Sequence, residues 1–182
     1  MNDPVAKTCR QRRLFARFAS VCALVALALL LLPAAAHADG YSMTQTYISA
    51  TVEADGSLTV VEGRQFDFDD DINGVFWEIN TGTNQQGGTA GVDVLSVEEE
   101  DTAFNKVDSA NKGDSGVYTV EQTSDGVRIK VFSPHESGDS AIYYVGYTMT
   151  GAVMNWADTA ELYWKFVGDG WSADSDDVEM EV

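Results

Sequence analysis

The stretch Leu58-Thr-Val-Val-Glu-Gly-Arg-Gln-Phe-Asp-Phe-Asp-Asp-Asp-Ile-Asn-Gly-Val-Phe-Trp-Glu-Ile-Asn80 decides how this chain is read. Leu58, Val60, Phe66 and Phe68 recur at even spacing, with Glu62 in the same row, which is the two-residue period of a β-strand. Gly63 falls inside that strand and is read as a bulge. Asp69 to Gly74 form an acidic turn. Val75 to Ile79 then read as a second strand, with Phe76 and Trp77 on opposite faces.

The neighbouring segments repeat this logic. Met43 to Glu53 alternate, with Met43, Gln45, Tyr47, Ser49 and Thr51 on one side and Thr44, Thr46, Ile48, Ala50 and Val52 on the other. Ala54-Asp55-Gly56-Ser57 supplies the Asp-Gly turn that joins it to the next strand as a hairpin. Strands follow at Val92 to Val97, Val117 to Glu121, Val127 to Phe132, Ala141 to Gly151, Leu162 to Val167 and Val178 to Val182. Thr81 to Gly91, Thr102 to Gly116 and Ser133 to Ser140 carry no apolar periodicity and read as loops. No window after residue 38 holds a helical apolar stripe. Short strands near ten-residue spacing predict an all-β chain, a single antiparallel β-sandwich of immunoglobulin-like or jelly-roll-like form.

Residues 1–38 stand apart. Lys7, Arg10, Arg12, Arg13 and Arg17 precede the apolar run Phe18 to Leu32, and Ala36-His37-Ala38 offers a small-x-small cleavage site. This is the pattern of a secretory signal peptide, a helix removed before Asp39. The run is short for a membrane span, which needs about 20 apolar residues, so an uncleaved anchor is the alternative. Arg12-Arg13 admits the twin-arginine route beside general export.

Residues 39–182 are long enough for one domain with its own core. They hold six basic and 28 acidic residues, a net charge of −22. Such a surface repels phosphate backbones, which excludes nucleic acid as a partner, and it attracts cationic surface components. Cys9 and Cys22 both lie in the leader, so the exported domain has neither a disulfide nor thiol chemistry.

Several segments together resemble the bacterial and archaeal predicted-membrane-protein family known as domain-of-unknown-function family two thousand two hundred and seven. They are Asp55-Gly56-Ser57-Leu58 with Val60 and Glu62, Phe66, Gly74-Val75-Phe76 with Ile79, Tyr144 and Tyr147, and Glu161-Leu162-Tyr163-Trp164 leading to Gly168 and Trp171. The resemblance implies an exported N-terminal β domain tied to the membrane by helices that follow it, a region absent from this chain. It implies no biochemical role. This chain departs from the family at Trp77, where an arginine is usual.

The residues themselves offer few sites. Asp69, Asp71 and Asn73, with Gly74 at position six and the carbonyl of Val75 at seven, match the first half of a calcium loop. Position twelve is Asn80, which cannot give a bidentate carboxylate, so the expectation is weak calcium binding or a solvated hairpin turn with Asn73-Gly74 at positive φ. Glu98 to Asp101 read as a solvated strand end, and Asp174, Asp176 and Asp177 as a charged linker. Gly113-Asp114-Ser115-Gly116 looks like a protease nucleophile loop, but His135 follows it, the reverse of the order that chemistry uses in trypsin-like folds.

No catalytic residue and no other cofactor is assigned. The function expected is a non-enzymatic binding or structural module on the extracytoplasmic side of a membrane or secreted. The alternatives are a carboxylate-based hydrolase of envelope polysaccharide, with Trp77, Trp156, Trp164 and Trp171 as a sugar platform, and a calcium-stabilised adhesion module.

Overall fold

In a computed structural model of the chain, the described residues are 40–81, 91–168, 170, 171 and 173–182. The leader and most of the Thr81 to Gly91 loop lie outside them. The described chain is all β. Its strands are β1 (Tyr41–Val52), β2 (Leu58–Phe68), β3 (Ile72–Asn80), β4 (Gly91–Glu99), β5 (Thr102–Ala103) and β6 (Asn105–Lys106). They continue as β7 (Val117–Gln122), β8 (Gly126–His135), β9 (Ser140–Thr150), β10 (Val153–Asn155), β11 (Ala160–Leu162) and β12 (Val178–Glu181).

Two larger sheets form, one ordered β12-β1-β2-β9-β4-β5 and one ordered β3-β8-β7-β6, with β10 and β11 as a separate pair. Most pairings are antiparallel, but β12 joins β1 in parallel, as does β6 with β7. The β1–β2 hairpin is the one Asp55-Gly56 predicts. Gly56 turns at φ 82°, and the Asp55 carboxylate accepts from the Ser57 amide at 2.9 Å and hydroxyl at 2.6 Å. Those hydrogen bonds hold the Asp55 carboxyl below its usual range.

The long strand β2 is the spine of the core. Leu58, Val60, Glu62, Arg64, Phe66 and Phe68 all point inward and are buried. Each fully buried apolar member contributes about 1.5–3 kcal/mol. Gly63 is not a bulge: the register runs unbroken past it against both β1 and β9. A Cβ there would lie 2.7 Å from the Tyr144 ring, which covers the backbone from the neighbouring strand. The bulges lie elsewhere. One between Met43 and Gln45 brings Met43 onto the same buried face as Thr46 and Ile48, overriding simple alternation. Another between Val94 and Ser96 buries Val94 and Val97 together and leaves Leu95 exposed.

The acidic turn is not a hairpin tip. β2 pairs with β1 and β9 whereas β3 pairs with β8, so Asp69 to Asp71 carry the chain from one sheet to the other. The inward row of β3, Trp77 and Ile79, then meets that of β2 across the core, with the Phe66 and Trp77 rings 5.9 Å apart. Asn73 and Gly74 belong to β3, and of the two only Gly74 has positive φ.

Three other expectations are corrected. β8 runs on to His135 through Pro134, because the register shift between Ile72 and Gly74 takes the proline out of the regular ladder. Leu162 to Val167 is strand only at its start, and Trp164, Phe166 and Val167 pack on the core without pairing. The Asp174 to Asp177 segment is no free linker: the Asp176 amide donates to the Met43 carbonyl and the Thr46 amide to the Asp177 carbonyl, which leads β12 onto the β1 edge.

Candidate functional site

The inter-sheet core contains charge. Glu62 is 5% exposed and Arg64 0%. Arg64 Nη2 donates to Glu62 Oε2 at 3.0 Å, the Trp77 indole Nε1 donates to the same oxygen at 3.1 Å, and the Tyr147 hydroxyl donates to Oε1 at 2.7 Å. This carboxylate is fully occupied. Arg64 is held less well. Its Nη1 donates to Ser175 at 3.3 Å, its plane lies 4.5 Å from the centre of the Trp171 ring, and its Nε finds no partner among the described residues.

A second polar cluster closes one end of the core. Ser133 is buried and its hydroxyl donates to Glu99. His135 Nε2 lies 3.0 Å from Glu99 Oε1 and 3.0 Å from the Tyr143 hydroxyl, and the ring stacks on Phe68. Glu99 therefore turns toward the other sheet rather than into solvent. The cluster holds a serine, a histidine and an acid without nucleophile geometry. The acid meets the same imidazole nitrogen as the serine, and the serine proton goes to the acid.

Burial raises the Tyr147 and Tyr143 phenols far above their ordinary range, with Glu62 and Glu99 adding to the effect. A raised phenol stabilises the fold fully below the unfolded-state pKa, about 10, and that contribution is lost as pH climbs beyond it. A spectrophotometric titration is expected to leave at least two of the seven tyrosines protonated until the fold itself gives way. Reversible ionisation of all seven before unfolding would contradict this.

The sequence-proposed calcium residues sit at the sheet-switching corner. Ser137 ties them to the β8–β9 loop, donating its hydroxyl to the Asp69 carbonyl at 2.6 Å and its amide to Asp71 Oδ1 at 2.9 Å. Asn73 and Val75 lie beyond the corner, on β3. Among the described residues, no group of three or more His, Cys, Asp or Glu side chains is placed to hold a metal ion. The Gly113 to Gly116 stretch is a turn in which the Asp114 carboxylate accepts from the Asn111 amide at 2.7 Å. Trp77 is buried, Trp164 and Trp171 are half-buried, and the Trp156 indole donates to Glu161 at 3.2 Å. No common tryptophan platform results.

Two openings among the described residues flank β3. On the outer face of the four-stranded sheet, Asn73 to Phe76, Lys112, Arg128, Lys130, Val131 and Phe132 line a groove of about 420 Å³. Toward the core edge, a second cavity of about 280 Å³ is walled by Tyr41, Phe66, Phe68, Ile72, Val75, Phe76 and Trp171. Sequence reading missed both, although the outward phase of Phe76 was legible, and Arg128 and Lys130 share one face of a strand by the same alternation.

These features define the chain as an all-β domain built from several sheets. Residues 42–182 match the family described as the N-terminal domain of a predicted membrane protein, DUF2207, and the chain belongs to that family. No curated protein matches the chain. Among solved structures, an M1 zinc metallopeptidase from Deinococcus radiodurans bound to a Tyr-Ser-Ala substrate is similar, with a TM-score of 0.39 and 12% identity. The similarity covers 63% of this chain and 22% of the peptidase, so the chain spans less than a quarter of that protein. Among the described residues, no helix is long and apolar enough to cross a membrane.

Proposed function

We propose that residues 39–182 form a single β-sandwich module, exported by the leader 1–38, which serves a membrane or cell-surface protein by binding rather than by catalysis. One observation carries this reading: the two cavities beside β3 are lined by apolar and cationic residues and Asn73, with no aspartate or glutamate among them. A carboxylate-based hydrolase needs two acids facing each other across its cleft, roughly 5–9 Å apart. The best-buried acid, Glu62, is instead committed to Arg64, Trp77 and Tyr147. The facing sheets and the strand-to-strand corner at Asp69 to Asp71 support the sandwich, and the apolar run Phe18 to Leu32 supports export.

The test has two arms. A reporter that is active only outside the cytoplasm, joined after Val182, is expected to be active, and removing Phe18 to Leu32 is expected to silence it. Incubation of the exported chain with envelope polysaccharide is expected to release reducing ends no faster than buffer. A silent reporter removes the exported reading. Release of reducing ends that disappears on mutating a single acid removes the non-enzymatic one.

A further inference from the structure

The groove and the apolar cavity share a wall made of Gly74, Val75 and Phe76. We propose that together they form one site for a small anionic amphiphile: an acidic head on the groove side, and an alkyl or aryl body in the aromatic cavity. The inference rests on the binding-module reading and names its ligand class.

Charge distribution is the first argument. Residues 39–182 carry 28 acidic residues against six basic ones, and three of those six, Lys112, Arg128 and Lys130, line this groove. The groove is a cationic island on an anionic body. Lys130 pairs with Glu121 at 2.9 Å in a solvent-exposed pair of the kind that holds weakly in water, whereas Arg128 is held in a part-buried pair, its Nε and Nη2 both donating to Glu78. Lys112 makes no ion pair among the described residues. An incoming anion therefore finds one uncommitted ammonium, Lys112, and a second, Lys130, that re-pairs easily, with the Arg128 guanidinium fixed beside them. A polyanion is disfavoured, because the rest of the domain repels it within a Debye length of about 8–10 Å.

The apolar half is the second argument. Phe76 is 53% exposed, at the crest between the two hollows, with the Arg128 guanidinium 5.6 Å above its ring. Behind it, Phe66 and Trp171 stand 5.8 Å apart, and Tyr41 lies edge-on to Phe66 at 5.4 Å. An inorganic anion would leave this cavity unused, and a neutral hydrocarbon would leave the cations unused. The combined volume is within the few hundred Å³ usual for small-ligand sites.

A free acyl carboxylate and an anionic lipid share this chemistry, and the test separates them. The exported chain, labelled for amide NMR, is titrated with monomeric decanoate, decanol and butyrate, and separately mixed with phosphatidylglycerol or phosphatidylcholine vesicles. Decanoate is expected to shift the Gly74 and Phe76 amides and the Trp171 indole, and to bind about tenfold more tightly than decanol or butyrate. Lys112→Glu, an exposed change, is expected to weaken decanoate at least fivefold and leave decanol unchanged. The same shifts with phosphatidylglycerol vesicles alone would assign the ligand to the membrane and support the site. Equal binding of decanol and decanoate, equal binding of butyrate and decanoate, or no shift with any probe overturns it. Should the site fail while the reporter stays active and no reducing ends appear, the module reading stands without this ligand.

Discussion

Glu62→Ala is expected to lower the stability of the domain by about 3–5 kcal/mol, a fall in melting temperature on the order of 10 °C. The change removes the acceptor for three buried donors at once: Arg64 Nη2, Trp77 Nε1 and the Tyr147 hydroxyl. Arg64, fully buried, is left with a Ser175 hydroxyl, a Thr46 hydroxyl at 3.5 Å and a tryptophan face. An uncompensated charge in that position is far costlier than the pair was stabilising. Glu62→Gln keeps an acceptor oxygen but loses the charge, so an intermediate loss is expected. The informative control is the double change Glu62→Leu with Arg64→Met. Buried ion pairs replaced by apolar residues of similar volume are often neutral or more stable, and here Arg64 Nε already lacks a partner. The double variant is therefore expected to recover most of what Glu62→Ala loses. Urea unfolding of the three variants checks this. If Glu62→Ala melts within about 1 kcal/mol of the parent, the carboxylate is not the hub its contacts describe.

That hub shows where sequence reading succeeded and where it stopped. Alternation placed Leu58, Val60, Phe66 and Phe68 on one face of β2, and Glu62 in the same row, all of which the structure bears out. It also separated Phe76 from Trp77 correctly. Alternation says which face a residue occupies, but not which strand lies beside it. The pattern therefore predicts a hairpin between β2 and β3, although the chain changes sheets at Asp69 to Asp71. Residue type misled in the same way at Asp174 to Asp177, where backbone pairing with β1 outweighs the charge of the side chains. The groove was illegible for a related reason: Lys112 comes from a loop and meets Arg128 and Lys130 only in the folded chain. The family resemblance, by contrast, rested on the strands flanking the acids, and those strands frame the core. Trp77, buried on the inward face of β3, directs its indole N–H at Glu62, a contact that alternation alone does not reveal.

Gly74→Ala is expected to cost about 3 kcal/mol or more, and to do so through β3 rather than through the core. Gly74 adopts φ 144°, which an L side chain rarely takes, and a Cβ there would lie 1.8 Å from the Val131 carbonyl oxygen and 2.9 Å from its carbon. Neither atom belongs to a flexible side chain, so relief requires β3 and β8 to part around the bulge that joins Ile72 and Gly74 to His135 and Phe132. Because Trp77, three residues further along β3, is held by its hydrogen bond to Glu62, the damage is expected to be local first. Amide exchange should accelerate at Val75 and Phe76 before the β2–β9 ladder loosens. Gly113→Ala is the matched comparison. That glycine has φ 93° but nothing within 4 Å of a built Cβ, so it carries backbone strain without collision. Its cost is expected to be nearer 1 kcal/mol. Equal losses at the two positions would mean that dihedral strain, and not the closeness of β8, explains why position 74 is glycine. A larger loss at Gly74 assigns the difference to the close approach of β8 that the strand pairing demands.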